Sequence, residues 1–480
     1  MKRPKGNNGP TILQACTDPN LFAPWFTGNS WTAWFAFFAT VFGLELSEEW
    51  QAIYRACTGR EELPGGPFRE VWCSCGRRAG KSLTAATIAV FLACFLNYTR
   101  YLKPGETGVV LLVAPDRRQA KVLLKYVLGF LKNVPLLSRM IVNERAESVD
   151  LTNGISIEVA TASHKTSRGF SAIAVILDEA AFLPTDESSE PDKELLIALR
   201  PTLVTIPSSL LLVISSPYAR RGELWKNFQK HFAKNSPILF WKAASRIMNP
   251  SLPESVVTEA LEQDEAAARA EYLAEFRSDV ELLVAPATVE ACTISGRIEL
   301  PSAKELRYVA FVDPSGGSAD AFTLAIAHRR ADGKAVLDVL RERKPPFSPE
   351  EVTGEFARTL KDYGISTVTG DAYAGEWPRE RFRKHGIEYK ISERSRSEIY
   401  LAFLPLLNAK QVELLDLRKL HNELCGLERK TARSGRDSID HAPGSHDDAA
   451  NSVAGAMVLA ADGAHSGGVI VSSGGKSRVF

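Results

Sequence analysis

The run Cys75-Gly76-Arg77-Arg78-Ala79-Gly80-Lys81-Ser82 limits what this chain can fold into more than any other feature. It follows an apolar segment, Glu70–Ser74, and opens into a second one, Ser82–Leu96, so it reads as a turn from a strand into a helix. Such a turn, rich in small residues and ending in Lys-Ser, presents backbone N–H groups and a helix N-terminus to a polyanion. The phosphate-loop pattern is G-x-x-x-x-G-K-[ST], and here Cys75 stands in the first glycine's place with Gly76 one position later. In that pattern Gly76, Arg77, Arg78, Ala79 and Gly80 form the cradle, Lys81 reaches the β and γ phosphates of a nucleotide, and Ser82 ligates Mg²⁺.

A loop of this kind belongs at the carboxyl edge of a parallel sheet, and the flanking sequence supplies the rest of that sheet. Strands are expected at Glu70–Ser74, Gly108–Ala114, Ile155–Ala160, Ala172–Leu177 and Ser209–Ser215, with helices at Ser82–Leu96 and Arg117–Leu131. Near-continuous apolar strands alternating with helices mean a parallel sheet covered on both faces. Ala174-Val175-Ile176-Leu177 delivers Asp178 to a strand end, where it can hold a magnesium shell, and Glu179 beside it can polarise an attacking water. Two carboxylates ending a buried strand are costly without a ligand. Ser215-Ser216-Pro217 ends the next apolar strand, either as a sensor of the γ-phosphate or as a plain strand-ending turn. Arg77 can stabilise transition-state charge in cis, and Arg168 or Arg200 in trans. Gln51 is either an adenine reader or an exposed helix glutamine.

The second half changes pattern. Tyr308–Val312, Phe322–His328 and Ala335–Arg341 follow one another closely, the last two joined through Asp332-Gly333, a hairpin signal. A helix begins near Ser348-Pro349 and runs to about Tyr363, strand Ser366–Thr369 follows, and the last helix is Asp448–Ala461. This order predicts a mixed sheet with a central parallel pair. Asp313 and Asp371 then emerge at one sheet edge, where Asp447 and Asp448, after His446, can face them. Carboxylates converging without a cationic partner repel unless divalent cations neutralise them. Two Mg²⁺ or Mn²⁺ ions about 4 Å apart would activate a water and stabilise the leaving oxygen of a phosphodiester. Taken singly, Asp313 can be a turn residue and Asp447 or Asp448 a helix cap.

At 480 residues the chain predicts two or three domains. We expect a helical lead-in over 1–65, a phosphate-loop domain over 66–285, a linker over 286–305, a mixed-sheet domain over 306–462, and a flexible Ser/Gly-rich tail over 463–480. The alanine-rich stretch Pro253–Arg277 reads as helical. A net charge of +1 excludes a global basic field, so a nucleic acid would meet local clusters. Arg379, Arg381, Arg383 and Lys384 form one and Arg429, Lys430, Arg433 and Arg436 another, though either taken alone reads better as solvated surface charge. Seven cysteines, an odd number, argue for reduced thiols in a cytosolic setting, and no secretory signal is visible. The apolar runs Trp31–Leu44 and Ala85–Leu96 are too short to span a bilayer, so no membrane role is expected.

Together these motifs resemble the large subunit of tailed-bacteriophage terminase. The resemblance rests on Gly76 to Ser82, Arg168-Gly169, Leu177-Asp178-Glu179-Ala180-Ala181, Ser215-Ser216-Pro217, Asp313-Pro314-Ser315-Gly316-Gly317, Gly370-Asp371-Ala372-Tyr373-Ala374-Gly375 and His446-Asp447-Asp448-Ala449-Ala450, in that order. It implies an N-terminal P-loop ATPase with a mainly parallel sheet and a C-terminal ribonuclease H-like nuclease. ATP with Mg²⁺ would drive double-stranded DNA into a procapsid, and the nuclease, with two Mg²⁺ or Mn²⁺, would cut concatemers. Arg77 would be the loop arginine, Glu179 the catalytic glutamate, Ser215, Ser216 and Pro217 the coupling motif. Implied partners are a portal protein and a small terminase subunit. A homo-oligomeric ring would form on the procapsid in the bacterial host cytoplasm, with a monomer in solution also open. Two departures stand out: Cys75 for glycine, and Asn451 where relatives often carry another acid. The alternatives are an ATP-dependent helicase–nuclease of repair or recombination, for which no second motor domain is visible between Pro217 and Asp313, and a nucleotide-gated scaffold that binds DNA without cutting it.

Overall fold

In a computed structural model the chain divides into two compact units, residues 1–280 and 281–480. Residues 9–162, 169–183, 188, 190–317, 320–371, 377–431, 437–442 and 445–462 are described. Arg168, residues 372–376, Arg433, Arg436 and the tail from 463 lie outside them.

The first unit is built on an eight-stranded sheet. Its strands are β1 (Glu70–Cys75), β2 (Gly108–Ala114), β3 (Ile141–Glu144), β4 (Ser148–Leu151), β5 (Ile155–Thr161), β6 (Ser171–Asp178), β7 (Leu210–Ser215) and β8 (Ile238–Ala243), ordered β3-β4-β5-β2-β6-β7-β1-β8. From β5 to β8 every pairing is parallel, while β3 and β4 add an antiparallel edge. β2, β6 and β7 are buried along their whole length, which is why they read as unbroken apolar runs. β3, β4 and β8 escape the sequence pattern: β3 is mostly exposed, and β8 carries Lys242 between Trp241 and Ala243. Helices Lys81–Phe95 and Arg117–Asn133 pack together against the sheet.

Residues before β1 are helical and dock on this sheet. Thr11 and Gln14 close a capping box on helix Ile12–Thr17, Ser47 caps Glu48–Thr58, and Gly59 ends that helix in the left-handed region. Between them Thr32–Val41 buries Trp34, Phe37 and Phe38, with Phe37 5.3 Å from the ring of Trp241 in β8. The alanine-rich stretch is two helices rather than one, Glu254–Gln263 and Glu265–Leu273. They break at Asp264, which takes an extended conformation and accepts from the Ala267 N–H as the second helix's cap.

Strand β9 (Val280–Leu282) lies where the chain passes from one unit to the next. Residues 286–305 include helix Pro286–Cys292 and strand β10 (Thr293–Ile294). The second unit continues with β11 (Tyr308–Asp313), β12 (Phe322–Arg329), β13 (Ala335–Arg343), β14 (Thr367–Gly370), β15 (Glu388–Ile391) and β16 (Val412–Leu415), then the hairpin β17 (Leu427–Thr431) and β18 (Asp437–His441). Its main sheet runs β10-β16-β13-β12-β11-β14-β15. β11, β12 and β13 are antiparallel neighbours, and β14 and β15 follow β11 in parallel, which is the strand arrangement of a ribonuclease H-like sheet. One face is covered by helices Arg396–Asn408 and Asp448–Asp462, the other by Pro349–Asp362 and Trp377–Lys384. No helix among the described residues is long and apolar enough to cross a membrane.

Candidate phosphate and carboxylate sites

The parallel register of the first sheet gathers the predicted residues at its carboxyl edge. Ser74 pairs with Ser215, and Asp178 with Ile214, so the loop after β1, the end of β6 and the end of β7 lie side by side. Lys81 is 6% exposed and its Nζ meets the carbonyls of Cys75 and Gly76 at 3.2 Å, Ser216 Oγ at 2.7 Å and Glu179 Oε1 at 3.2 Å. Glu179 is held in the left-handed region (φ 50°), and its other oxygen accepts from the Ser216 N–H at 3.1 Å and Ser215 Oγ at 3.3 Å. Pro217 follows, buried.

The loop itself is turned inside out in the manner an anion requires. The carbonyls of Arg77, Arg78 and Ala79 all accept hydrogen bonds from outside it: Ser245 Oγ at 2.6 Å, Asn249 Nδ2 at 2.9 Å and Trp34 Nε1 at 2.6 Å. No acceptor among the described residues meets the N–H groups of Arg78, Ala79, Gly80, Lys81 or Ser82. Five adjacent donors left open around a lysine are an anion cradle. Gly76 is obligatory here, since a Cβ would lie 2.2 Å from Ser245 Oγ and within 3 Å of two backbone oxygens. Cys75 is simply the buried last residue of β1, its Sγ 3.3 Å from that of Cys73.

Asp178 fits the magnesium role. Its Oδ2 accepts from Ser82 Oγ at 3.3 Å, while Oδ1 is buried with no partner. Burial first, then the neighbouring Glu179, lifts its carboxyl to about 7, against the opposing pull of Lys81. Asp178 and Ser82 are the residues that would hold a divalent cation, which would satisfy the orphaned oxygen. Arg77 is placed differently from a phosphate ligand: its guanidinium is exposed and pairs with Glu271 at 3.1 Å. Arg200 pairs with Glu70 at 2.7 Å, at the opposite end of β1 from the loop. Gln51 donates to the Leu46 carbonyl at 3.0 Å.

In the second unit, register again does the placing. β11 and β14 pair Val312 with Gly370, so the next residues, Asp313 and Asp371, stand side by side at the carboxyl edge. Helix Asp448–Asp462 reaches that edge because Gly455 lets it lie against β11; a Cβ there would be 2.4 Å from the Phe311 ring. Asp313 Oδ2 accepts from Asn451 Nδ2 at 2.7 Å. Burial lifts the Asp313 carboxyl to about 8; Asn451 opposes this, and Asp448, Asp371 and Asp447 add to it. The four carboxylates thus share one field. No group of three or more His, Cys, Asp or Glu side chains among the described residues is placed to hold a metal ion, so the carboxylates would have to draw closer to bind one.

One expectation fails: the cluster does have a cationic partner. Arg396 Nη1 lies 3.1 Å from Asp447 Oδ1, and Tyr400 OH donates to Asp447 Oδ2 at 2.9 Å. Both oxygens of buried Asp447 are therefore spent within the protein, whereas Asp448 accepts from the Ala321 N–H at 3.1 Å and is more open. Tyr400 and Arg396 carry no local sequence signal; only the fold brings them to residue 447. The same holds for Glu423, whose Oε2 accepts from the Ala450 N–H at 2.9 Å in the first turn of the last helix, with Lys419 beside it at 3.3 Å. Of the basic clusters, Arg381 pairs with Glu350 and Arg429 with Asp437.

Burial lifts the Glu423 carboxyl to about 7, although Lys419 and the Ala450 N–H oppose it. Between its unfolded value near 4.5 and about 7 the folded state binds more protons, so stability falls as pH rises across that window and levels off above it. Glu423→Gln keeps an acceptor for Ala450 and removes the ionisation. Thermal unfolding followed from about pH 4.5 to 8 is expected to show a flatter midpoint profile in this variant than in the wild type.

A phosphate-loop sheet followed by a ribonuclease H-like sheet defines a two-part class: a nucleotide-binding fold and a nuclease fold on one chain. Residues 72–275 match the family "Terminase large subunit, T4likevirus-type, N-terminal", in keeping with the resemblance seen in the motifs. Large terminase subunits are the ATPases and nucleases of phage DNA packaging. No curated protein matches the chain in sequence. Among solved structures, the large terminase of bacteriophage HK97 is similar at 16% identity and TM-score 0.38, covering 87% of this chain and 95% of that one. A large terminase from a thermophilic bacteriophage, solved in complex with ATP-γ-S, is similar at 13% identity and TM-score 0.37, covering 85% and 97%. The magnesium-bound large terminase nuclease of thermophilic phage G20c is similar at 18% identity and TM-score 0.30, covering 36% and 94%.

Proposed function

We propose that this chain is a viral DNA-packaging motor protein that hydrolyses ATP to move double-stranded DNA into a procapsid and cuts concatemeric DNA. The observation that carries the reading is the open cradle of five N–H groups around Lys81, with an orphaned Asp178 oxygen beside it, on a chain that also assembles four aspartates at a second sheet edge.

In the motor, the loop amides and Lys81 bind the phosphates, and Ser82 and Asp178 hold Mg²⁺. Bound there, the cation neutralises phosphate charge. Lys81 now holds Glu179 at 3.2 Å and Ser216 at 2.7 Å. A γ-phosphate competing for that ammonium frees Glu179 to orient water, and shifts Ser215 and Ser216, which hold its other oxygen, together with Pro217 after them; this links hydrolysis to movement. Arg77 would have to leave Glu271 to stabilise charge in cis.

In the nuclease, Asp313 and Asp371 supply adjacent oxygens, with Asp448 and, once released from Arg396, Asp447 completing a set for two Mg²⁺ or Mn²⁺. Such ions, when bound, supply the Lewis acidity that phosphodiester cleavage needs. Double-stranded DNA, a portal protein and a small terminase subunit are the partners, in a ring on the procapsid within the bacterial host cytoplasm. Plasmid cleavage and ATP hydrolysis by the purified chain, each with and without Mn²⁺ or Mg²⁺, test this. Metal-dependent nicking together with ATP turnover is expected; a chain that does neither in the presence of DNA is not such a motor.

A further inference from the structure

We propose that Trp34, Ser245 and Asn249 are positioning residues of the phosphate loop, fixing its peptide planes so that their N–H groups face the nucleotide; this rests on the nucleotide reading above. A peptide unit whose carbonyl is pinned outward must point its N–H the other way. Three successive carbonyls, those of Arg77, Arg78 and Ala79, are pinned by Ser245 Oγ, Asn249 Nδ2 and Trp34 Nε1. The N–H groups of the three peptide units they belong to are those of Arg78, Ala79 and Gly80, three of the five that meet no acceptor among the described residues. Each pinned carbonyl thus has an open N–H on its own peptide unit.

The donors come from opposite ends of the unit. Trp34 lies on the helix Thr32–Val41, fully buried, with its ring 3.2 Å from where a Gly80 Cβ would sit. Ser245 and Asn249 begin and cap the short helix after β8, and the Asn249 N–H bonds back to the Ser245 carbonyl at 2.7 Å. The loop also needs this scaffold because Arg78 sits at φ 62° and Gly80 at φ 96°, conformations that an unsupported turn gives up readily. Preorganised N–H groups bind anions without reorganising at the moment of binding. The helical lead-in is, on this account, part of the nucleotide site rather than a decoration of it.

The test is nucleotide affinity in the full chain. Trp34→Phe, Ser245→Ala and Asn249→Ala each remove one donor, and fluorescent ATP and ADP analogues report dissociation constants alongside KM and kcat. Each variant is expected to weaken both nucleotides about 5- to 10-fold, the scale of one hydrogen bond. The loss should appear mainly in KM, and the unfolding midpoint of Asn249→Ala, the least buried of the three, should stay within a few degrees of wild type. Wild-type affinity in all three, with Lys81→Ala deficient, overturns the positioning role while leaving the phosphate loop in place. Should Lys81→Ala also bind ATP normally, it is the nucleotide reading that fails. If Trp34→Phe or Ser245→Ala does not fold, Asn249→Ala alone decides: normal affinity there refutes the proposal.

Discussion

Lys81→Ala is expected to lower ATP hydrolysis by about 10²–10³-fold or more, the cost of removing a principal donor to developing phosphate charge. The ammonium is 6% exposed and packed against two loop carbonyls, Ser216 and Glu179, so its charge is fixed where the phosphates would bind. Glu179 keeps its bonds to Ser215 and Ser216 in the variant, which makes the defect one of charge rather than of folding. Steady-state phosphate release, with unfolding measured alongside, checks it. Hydrolysis within a factor of a few of wild type would mean that the loop serves something other than a nucleotide.

The second large effect lies in the other unit. Asp371→Ala should abolish Mg²⁺- or Mn²⁺-dependent plasmid nicking, by about 10³-fold if the lost cation binding costs several kcal/mol of transition-state stabilisation. ATP hydrolysis should be unchanged, because Asp371 and Lys81 lie in different compact units of the chain. Agarose-gel cleavage assays and phosphate release on the same preparation measure both. Cleavage that persists unchanged would remove Asp371 from the carboxylate set and with it the two-metal reading.

Much of this was legible before the fold because fully buried parallel strands and their edge residues leave dense local signals. The motif at 75–82, the apolar run ending in Asp178-Glu179 and the strand order around Asp313 and Asp371 all translate directly into sheet edges. Other features were hidden for physical reasons. β3 is largely exposed and carries little apolar pattern. Trp34 looks like one more core aromatic until its indole N–H is seen on a carbonyl 45 positions away. Arg396 and Tyr400 lie 51 and 47 positions from Asp447, on a helix whose sequence reads as ordinary packing. Such long-range polar contacts have no spacing rule, since they are set by how helices settle on the sheet rather than by the chain's local period.

On the proposed reading, one chain both drives DNA and cuts it, through separable sites. Packaging of linear, pre-cut DNA into procapsids with portal, scored as nuclease-protected DNA, addresses this most directly. Wild-type chain with ATP should protect DNA, Glu179→Gln should not, and Asp371→Ala should protect it as well as wild type. Protection that survives Glu179→Gln, or that is lost with Asp371→Ala on pre-cut DNA, would contradict the account.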